Sequence, residues 1–383
     1  MRITLLFIAF ILFSSCGSDE KKIKPIKEIT FKLNSPPTQT QIFTDKKNED
    51  YYVFGDYHNK HEISIFSKNK LHRQIPLKKI IDKGEQIDGM ILKSTDTLLI
   101  LGRYTGNLYI INQKGDILKT IDINKTTNSS PDKYEYYTSI NNTIENGELI
   151  LSSSWRSNSK ESTPEDPLKN LQYFYEKKNQ SYSFLQLREI FKNEKTQFQI
   201  KGFESNFEKN KHTFHFDLPY YLRSKNELIA YSIHTDTVYR YKLPEFALTG
   251  KTKIVSDFTS IGEKGINLKK TKNLNIQESV NKIAQYGGVI GGIYHSRTKD
   301  IFYVIVPHKI NQEKEPEKKK FNRDFSILIY DRFWKKINEI KIDRGQYNFY
   351  DVLVTKEGLL ISKNTRENKN YNPKTARYAL FKI

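Results

Sequence analysis

Residues 88–123 read DGMILKSTDTLLILGRYTGNLYIINQKGDILKTIDI, and this stretch decides the fold. It holds four short apolar runs: Asp88 to Lys93, Thr97 to Leu101, Asn107 to Asn112 and Ile117 to Ile123. Between them lie Ser94-Thr95-Asp96, Gly102 to Gly106, and Gln113 to Asp116 with Lys114-Gly115 at its centre. Runs of this length, rich in branched and aromatic residues and bounded by Gly, Asn and Asp, are strands joined by tight turns. Four antiparallel strands in sequence order make a meander, the unit of a propeller blade.

Weaker copies of the unit recur on both sides. Tyr51 to Gly55 pairs with Glu62 to Phe66, and Glu148 to Ser152 with Gln172 to Glu176 across a long loop. Glu227 to Ser232 pairs with Thr237 to Tyr241, followed by Phe246 onward. Ile301 to Val306 pairs with Phe325 to Tyr330 and then Ile337 to Ile342, and Gly358 to Ser362 with Ala376 to Phe381. A recurring supersecondary unit marks a repeat architecture, here at uneven spacings of roughly 45 to 80 residues. The one helix candidate is Ile276 to Tyr286, where Ile276, Val280, Ile283 and Ala284 share a face.

The expectation is an all-β, six-bladed β-propeller of four-stranded antiparallel blades. The sixth copy runs out of chain after three strands, at Ile383, while Ile29-Thr30-Phe31-Lys32-Leu33 alternates near the N-terminus. An N-terminal strand at about 29–34 is therefore expected to complete the last blade and close the ring. Closure over so long a loop costs on the order of 5 kcal/mol. Burying Ile29, Phe31 and Leu33 offsets it with about 5–8 kcal/mol, and pairing hides an edge open to aggregation. The alternative architecture is a β-sandwich followed by a second β domain.

The first residues give the address. Arg2 is a short positive region, Ile3 to Phe13 is apolar apart from Thr4, and Ser14 and Ser15 precede Cys16. That order is a secretory signal, too short for a transmembrane helix of about 20 apolar residues. Cys16 is the sole cysteine, so no intramolecular disulfide can form. Leu12-Phe13-Ser14-Ser15-Cys16 resembles the bacterial lipobox, with Phe13 departing from the usual Leu. The resemblance implies a signal peptide at 1–15, acylation at Cys16, an acylated tether at 16–28 and a single domain at 29–383. More than one acyl chain, as the resemblance implies, is what stable anchoring needs. An ordinary signal peptide is the alternative. Ser18, Asp19 and Glu20 after Gly17 resemble the acidic surface-export signal of Bacteroidetes lipoproteins. The expected location is the outer membrane, at the cell surface, with the periplasmic leaflet as alternative.

Together with blade phrases such as His234-Thr235-Asp236-Thr237-Val238-Tyr239-Arg240-Tyr241 and residues 107–116, the chain resembles the uncharacterised Bacteroidetes lipoproteins thought to form six-bladed propellers, TolB-like or NHL-like in shape. That resemblance carries no assigned chemistry.

The formal net charge is +19. An exported chain does not meet cytoplasmic nucleic acid, and no nucleic-acid-binding motif is present. Mixed runs such as residues 313–320 (EKEPEKKK) read as solvated loop. The charge is either a compositional by-product, since Lys, Asn, Ile and Tyr are abundant together as in AT-rich genomes, or the mark of an anionic partner such as a glycan or lipopolysaccharide phosphate.

No nucleophile elbow, Walker sequence or zinc-protease motif is found. His58 and His61 read as a solvated turn, and His212 and His215 lie on alternate faces of a strand-like run. In a propeller the second-to-third-strand loops share one face. Here that face carries Tyr57, His58, Arg103, Tyr104, Trp155, Arg156, His234, His308 and Arg366. Aromatic platforms beside arginine suit sugars, carboxylates or a protein hot spot. Asp88 and Asp351, near the starts of innermost strands, are the candidate ligands of a channel cation; otherwise no cofactor is expected. The expected function is a membrane-anchored binding module for an envelope protein or anionic glycan. The alternative is a hydrolase or lyase acting on an anionic saccharide or lactone through that cation.

Overall fold

Within each repeat the apolar run is densest in the middle strands and thins toward the last. A strand covered on both faces reads as a continuous apolar run, and one open to water alternates. The computed structural model bears this out. It describes residues 24–103, 105–123, 133–137, 148–156, 183–188, 194–199, 212–213, 220–262, 266–267, 286–311, 313–315, 322–365 and 370–383.

The chain opens with β1 (Lys27–Lys32). A first sheet follows: β2 (Gln39–Thr44), β3 (Asp50–Asp56), β4 (Glu62–Ser67) and β5 (Lys70–Pro76). A one-turn helix, α1 (Lys78–Ile81), leads to β6 (Ile87–Ser94), β7 (Thr97–Gly102), β8 (Asn107–Asn112) and β9 (Ile117–Asp122). Next come β10 (Lys133–Tyr137), β11 (Leu149–Arg156), β12 (Ser183–Arg188) and β13 (Glu194–Gln199). The short β14 (His212–Thr213) precedes β15 (Tyr220–Ser224), β16 (Glu227–Tyr231), β17 (Thr237–Lys242) and β18 (Ala247–Lys253). After β19 (Ile266–Asn267), which pairs with β14, stand β20 (Gly292–Ser296), β21 (Ile301–Pro307), β22 (Phe325–Asp331) and β23 (Lys336–Ile342). The last strands are β24 (Asn348–Val354), β25 (Leu359–Ser362) and β26 (Thr375–Phe381).

The fold is an all-β propeller of four-stranded antiparallel blades. Five blades are described with their side chains: β2–β5, β6–β9, β15–β18, β20–β23, and β24–β26 with β1. The strands β10–β13 pair in the same order, with side chains described only for Glu148 to Ser152 at the start of β11 and just before it. One expected pairing is corrected. Leu149–Ser153 pairs with Ser183–Leu187, not with Gln172 to Glu176, which lie outside the described residues. Both segments are short and rich in strand-forming residues, and such composition does not choose between partners across a long loop. The helix candidate 276–286 also lies outside, apart from Tyr286.

Burial follows the strand's place in its blade. In β3 six of seven residues are buried, whereas in the outermost β18 none is. Apolar clusters form between successive sheets. One joins β3–β5 to β6–β8, and another β20–β23 to β24–β26. Leu149 and Leu151 of β11 pack against β6–β9, while Ile150 packs toward β15–β17. The expected N-terminal strand begins two residues early: Lys27–Lys32 pairs antiparallel with β26, from Lys27 opposite Leu380 to Lys32 opposite Thr375. Phe31, fully buried, then meets Tyr52, Phe54 and Phe66 of the first sheet with ring centroids 4.8, 5.1 and 5.3 Å away.

Candidate functional site

In the five blades described with their side chains the first strand is innermost. Side by side, β15, β20, β24, β2 and β6 run in that order around an axis. Side chains stitch them where backbones no longer pair. Gln39 Oε1 accepts from Met90 N at 2.9 Å, and Gln41 Oε1 from Leu92 N at 3.2 Å. Thr40 Oγ1 donates to Asp351 Oδ1 at 2.6 Å.

This fold has two faces with different chemistry. The second-to-third-strand loops contain the residues expected to bind a partner. Tyr57 is buried there; its ring lies over Gly55, where a Cβ would sit 2.6 Å from the ring, and its hydroxyl donates to Gln39 Oε1 at 2.7 Å. Its turn is organised by Asp56, whose carboxylate accepts from Asn59 N and Lys60 N, both at 2.9 Å. His234 and His308 are buried, and His308 Nε2 is 2.8 Å from Ser326 Oγ. His58 and Arg103 are exposed. Tyr104, Arg366 and the side chains of Trp155 and Arg156 lie outside the described residues, as do Cys16, Ser18, Asp19 and Glu20.

Asp88 and Asp351 do sit on innermost strands, β6 and β24. Among the described residues no three His, Cys, Asp or Glu side chains gather as a metal group. The Asp351 carboxylate accepts instead from Thr40 and from Tyr378 OH at 2.9 Å to each oxygen. Burial pushes its pKa above the ordinary carboxylate value, against the pull of Thr40, Tyr378 and Ser362. Through these bonds it ties the last sheet to the first.

The opposite face is built from the first-to-second-strand turns, and there the innermost strands open into a cavity of about 380 Å³. Lys93, Arg223, Arg297 and Lys356 line it, against the single carboxylate of Asp50. Each cation comes from the exit of a different innermost strand or the turn after it: Lys93 from β6, Arg223 from β15, Arg297 after β20, Lys356 after β24. Arg223 is buried, and its Nη2 donates to Glu148 Oε2 at 3.0 Å, which fixes the guanidinium in place. Lys93, Arg297 and Lys356 are exposed. Thr44, Asn48 and Thr298 add polar groups, and Leu92, Leu222 and Val354 an apolar wall.

His295 also lines the cavity. Its Nδ1 lies 3.2 Å from Ser224 Oγ and its Nε2 3.3 Å from Asp300 Oδ1, with the ring stacked on Phe302 at 4.6 Å. Burial lowers its pKa, outweighing the hydrogen bond and charge of Asp300. By distance this is a serine–histidine–carboxylate chain. Ser224 is buried, and of the three only His295 lines the cavity. The trio pins the β20–β21 turn to β15.

The cavity residues are the ones that reading the loops missed. A signal was present: Leu92-Lys93-Ser94, Leu222-Arg223-Ser224 and Tyr294-His295-Ser296 each end an innermost strand with an apolar residue, a basic residue and a serine.

No protein-family model and no curated protein matches the chain. Among solved structures, a DUF4221 family member from Bacteroides vulgatus is similar with a TM-score of 0.68 and 14% identity, over 94% of this chain and 98% of that one. A protein of unknown function from Bacteroides caccae has a TM-score of 0.32 at 14% identity, covering 77% of this chain and 94% of its own. The Cps50 β-propeller domain of Myceliophteria thermophila has a TM-score of 0.44 at 9% identity, over 93% of this chain and all of that one. The first of these likenesses shows the fold and nothing finer.

Proposed function

We propose that this chain is a membrane-tethered binding module, a six-bladed propeller that takes an anionic envelope partner at the cationic mouth of its channel. The observation that carries the reading is the cavity: four basic side chains from four separate strand exits converge on it, against one carboxylate. Convergent polar groups in a concave site of this size are the usual form of a ligand pocket. Cations held at a partly desolvated mouth attract and orient negative charge.

Six blades are supported by the four-strand order of β10–β13, which repeats that of the other sheets. Ring closure is supported by the cluster in which Phe31 joins Tyr52 and Phe54 to Leu360 and Tyr378. The anchor rests on the lipobox resemblance at Cys16 and the export-signal resemblance at Ser18, Asp19 and Glu20, which support an outer-membrane location. Among the described residues no helix is long and apolar enough to cross a membrane. A second reading puts a partner on the other face, through His58 and Arg103, which are exposed there.

One experiment tests anchor and mouth together. Membranes from cells making wild type, Cys16→Ala or Lys93→Ala/Arg297→Ala/Lys356→Ala protein are solubilised gently and the protein is recovered. Wild type is expected in the membrane fraction with its partner, the triple variant in the membrane fraction without it, and Cys16→Ala in the soluble fraction. A triple variant that keeps the same partner would sink the mouth as the site. Cys16→Ala protein still in membranes would sink the anchor.

A further inference from the structure

Resting on the proposed binding role, we infer that the mouth reads a single anionic sugar-like unit end-on, either as a free small molecule or as the terminal residue of a chain. The geometry carries this. The cavity walls rise from five separate sheets, through residues of β2, β6, β15, β20 and β24 and the turns after them. At the rim Lys356 Nζ donates to Asn48 O at 3.4 Å, so the turns of two neighbouring sheets meet there and wall the space on that side, which suits one unit better than a strand laid across. At about 380 Å³ the space falls at the small end of ligand pockets, room for one or two sugar rings.

The lining sorts into parts that fit one such unit. Arg223 is the fixed member, buried and braced by Glu148, and a guanidinium presents paired donors to a carboxylate or phosphate. Lys93 and Arg297 are exposed cations on the same cavity wall. Thr44, Asn48 and Thr298 offer hydroxyl and amide partners of the kind a polyol needs. A long polyanion is better served by a charged track than by a pit with one braced arginine.

The test is titration calorimetry on the full-length, detergent-solubilised protein with four probes. These are glucuronate, glucose, an oligosaccharide ending in glucuronate, and the same oligosaccharide capped by a neutral sugar so that the uronate is internal. Glucuronate and the uronate-ended oligosaccharide are expected to bind at least about ten-fold tighter than glucose or the capped chain, since only they bring a terminal carboxylate to the converging cations. Lys93→Ala/Arg297→Ala, which alters only exposed side chains, should weaken both by at least about ten-fold. Binding of glucuronate without the uronate-ended chain identifies a free small anion as the source. Equal affinity for capped and uronate-ended chains overturns end-on reading while leaving the cationic mouth standing. Failure of every anionic probe overturns both.

Discussion

Phe31→Ala is expected to lower the stability of the fold by about 3–5 kcal/mol, the cost of removing a fully enclosed aromatic ring. Phe31 belongs to the strand that pairs with β26, yet its ring packs on Tyr52, Phe54 and Phe66 of the first sheet and lies 6.3 Å from Tyr378 of the last. It is the fully buried side chain of the N-terminal strand in a cluster that brings together residues of the first and last sheets. The substitution removes area from two sheets at once and leaves a void that four rigid rings cannot close. Guanidinium unfolding, followed by tyrosine fluorescence and circular dichroism, measures the loss. A change below about 1 kcal/mol would mean that the seam between first and last sheets contributes little to the fold.

The second large effect concerns Asp351. Replacing it by alanine strands the hydroxyls of Thr40 and Tyr378, and a loss of about 1–3 kcal/mol is expected. Asp351→Asn keeps an acceptor and should stay close to wild type. The two differ from wild type in pH dependence as well. Because burial raises the Asp351 pKa in the fold, the folded chain holds that proton to a higher pH than the unfolded chain, whose aspartates titrate near about 3.9. Its contribution is therefore full below that value and is lost as pH rises through the folded value. Wild type should lose stability relative to Asp351→Asn as pH rises from about 4 toward neutrality. Parallel pH profiles for the two proteins would show that the carboxyl titrates alike in both states.

Much of the blade structure was legible in the residues, and the reason is burial. The middle strands are covered on both faces, so Leu98 to Leu101 and Leu108 to Ile111 are continuous apolar runs between turn residues. The alternation of Ile29, Phe31 and Leu33 located the N-terminal strand to within two residues, because pairing with β26 continues through the polar Lys27 and Glu28. The strand opposite β11 was not legible, since two segments rich in strand-forming residues, 172–176 and 183–188, both follow it across a long loop and only the second is its partner.

The site was less legible than the fold. Aromatic residues at the second-to-third-strand turns look like binding platforms in a linear reading. In the folded chain Tyr57 spends its ring covering Gly55 and its hydroxyl on Gln39. The cavity residues lie far apart in sequence, with Lys93, Arg223, Arg297 and Lys356 converging because each follows an innermost strand. A basic residue before serine at one strand end is unremarkable. Its recurrence at equivalent ends, in Lys93-Ser94, Arg223-Ser224 and His295-Ser296, is informative only once the strands are known to be innermost.

The most direct test of the cationic mouth is amide hydrogen exchange with and without saturating glucuronate, because it separates the two faces of the propeller in one measurement. Slowed exchange at the turns around Asn48, Thr298 and Lys356, with the turns around His58 and Arg103 unchanged, is the result this account expects. Protection confined to His58 and Arg103, or no protection anywhere, would contradict it.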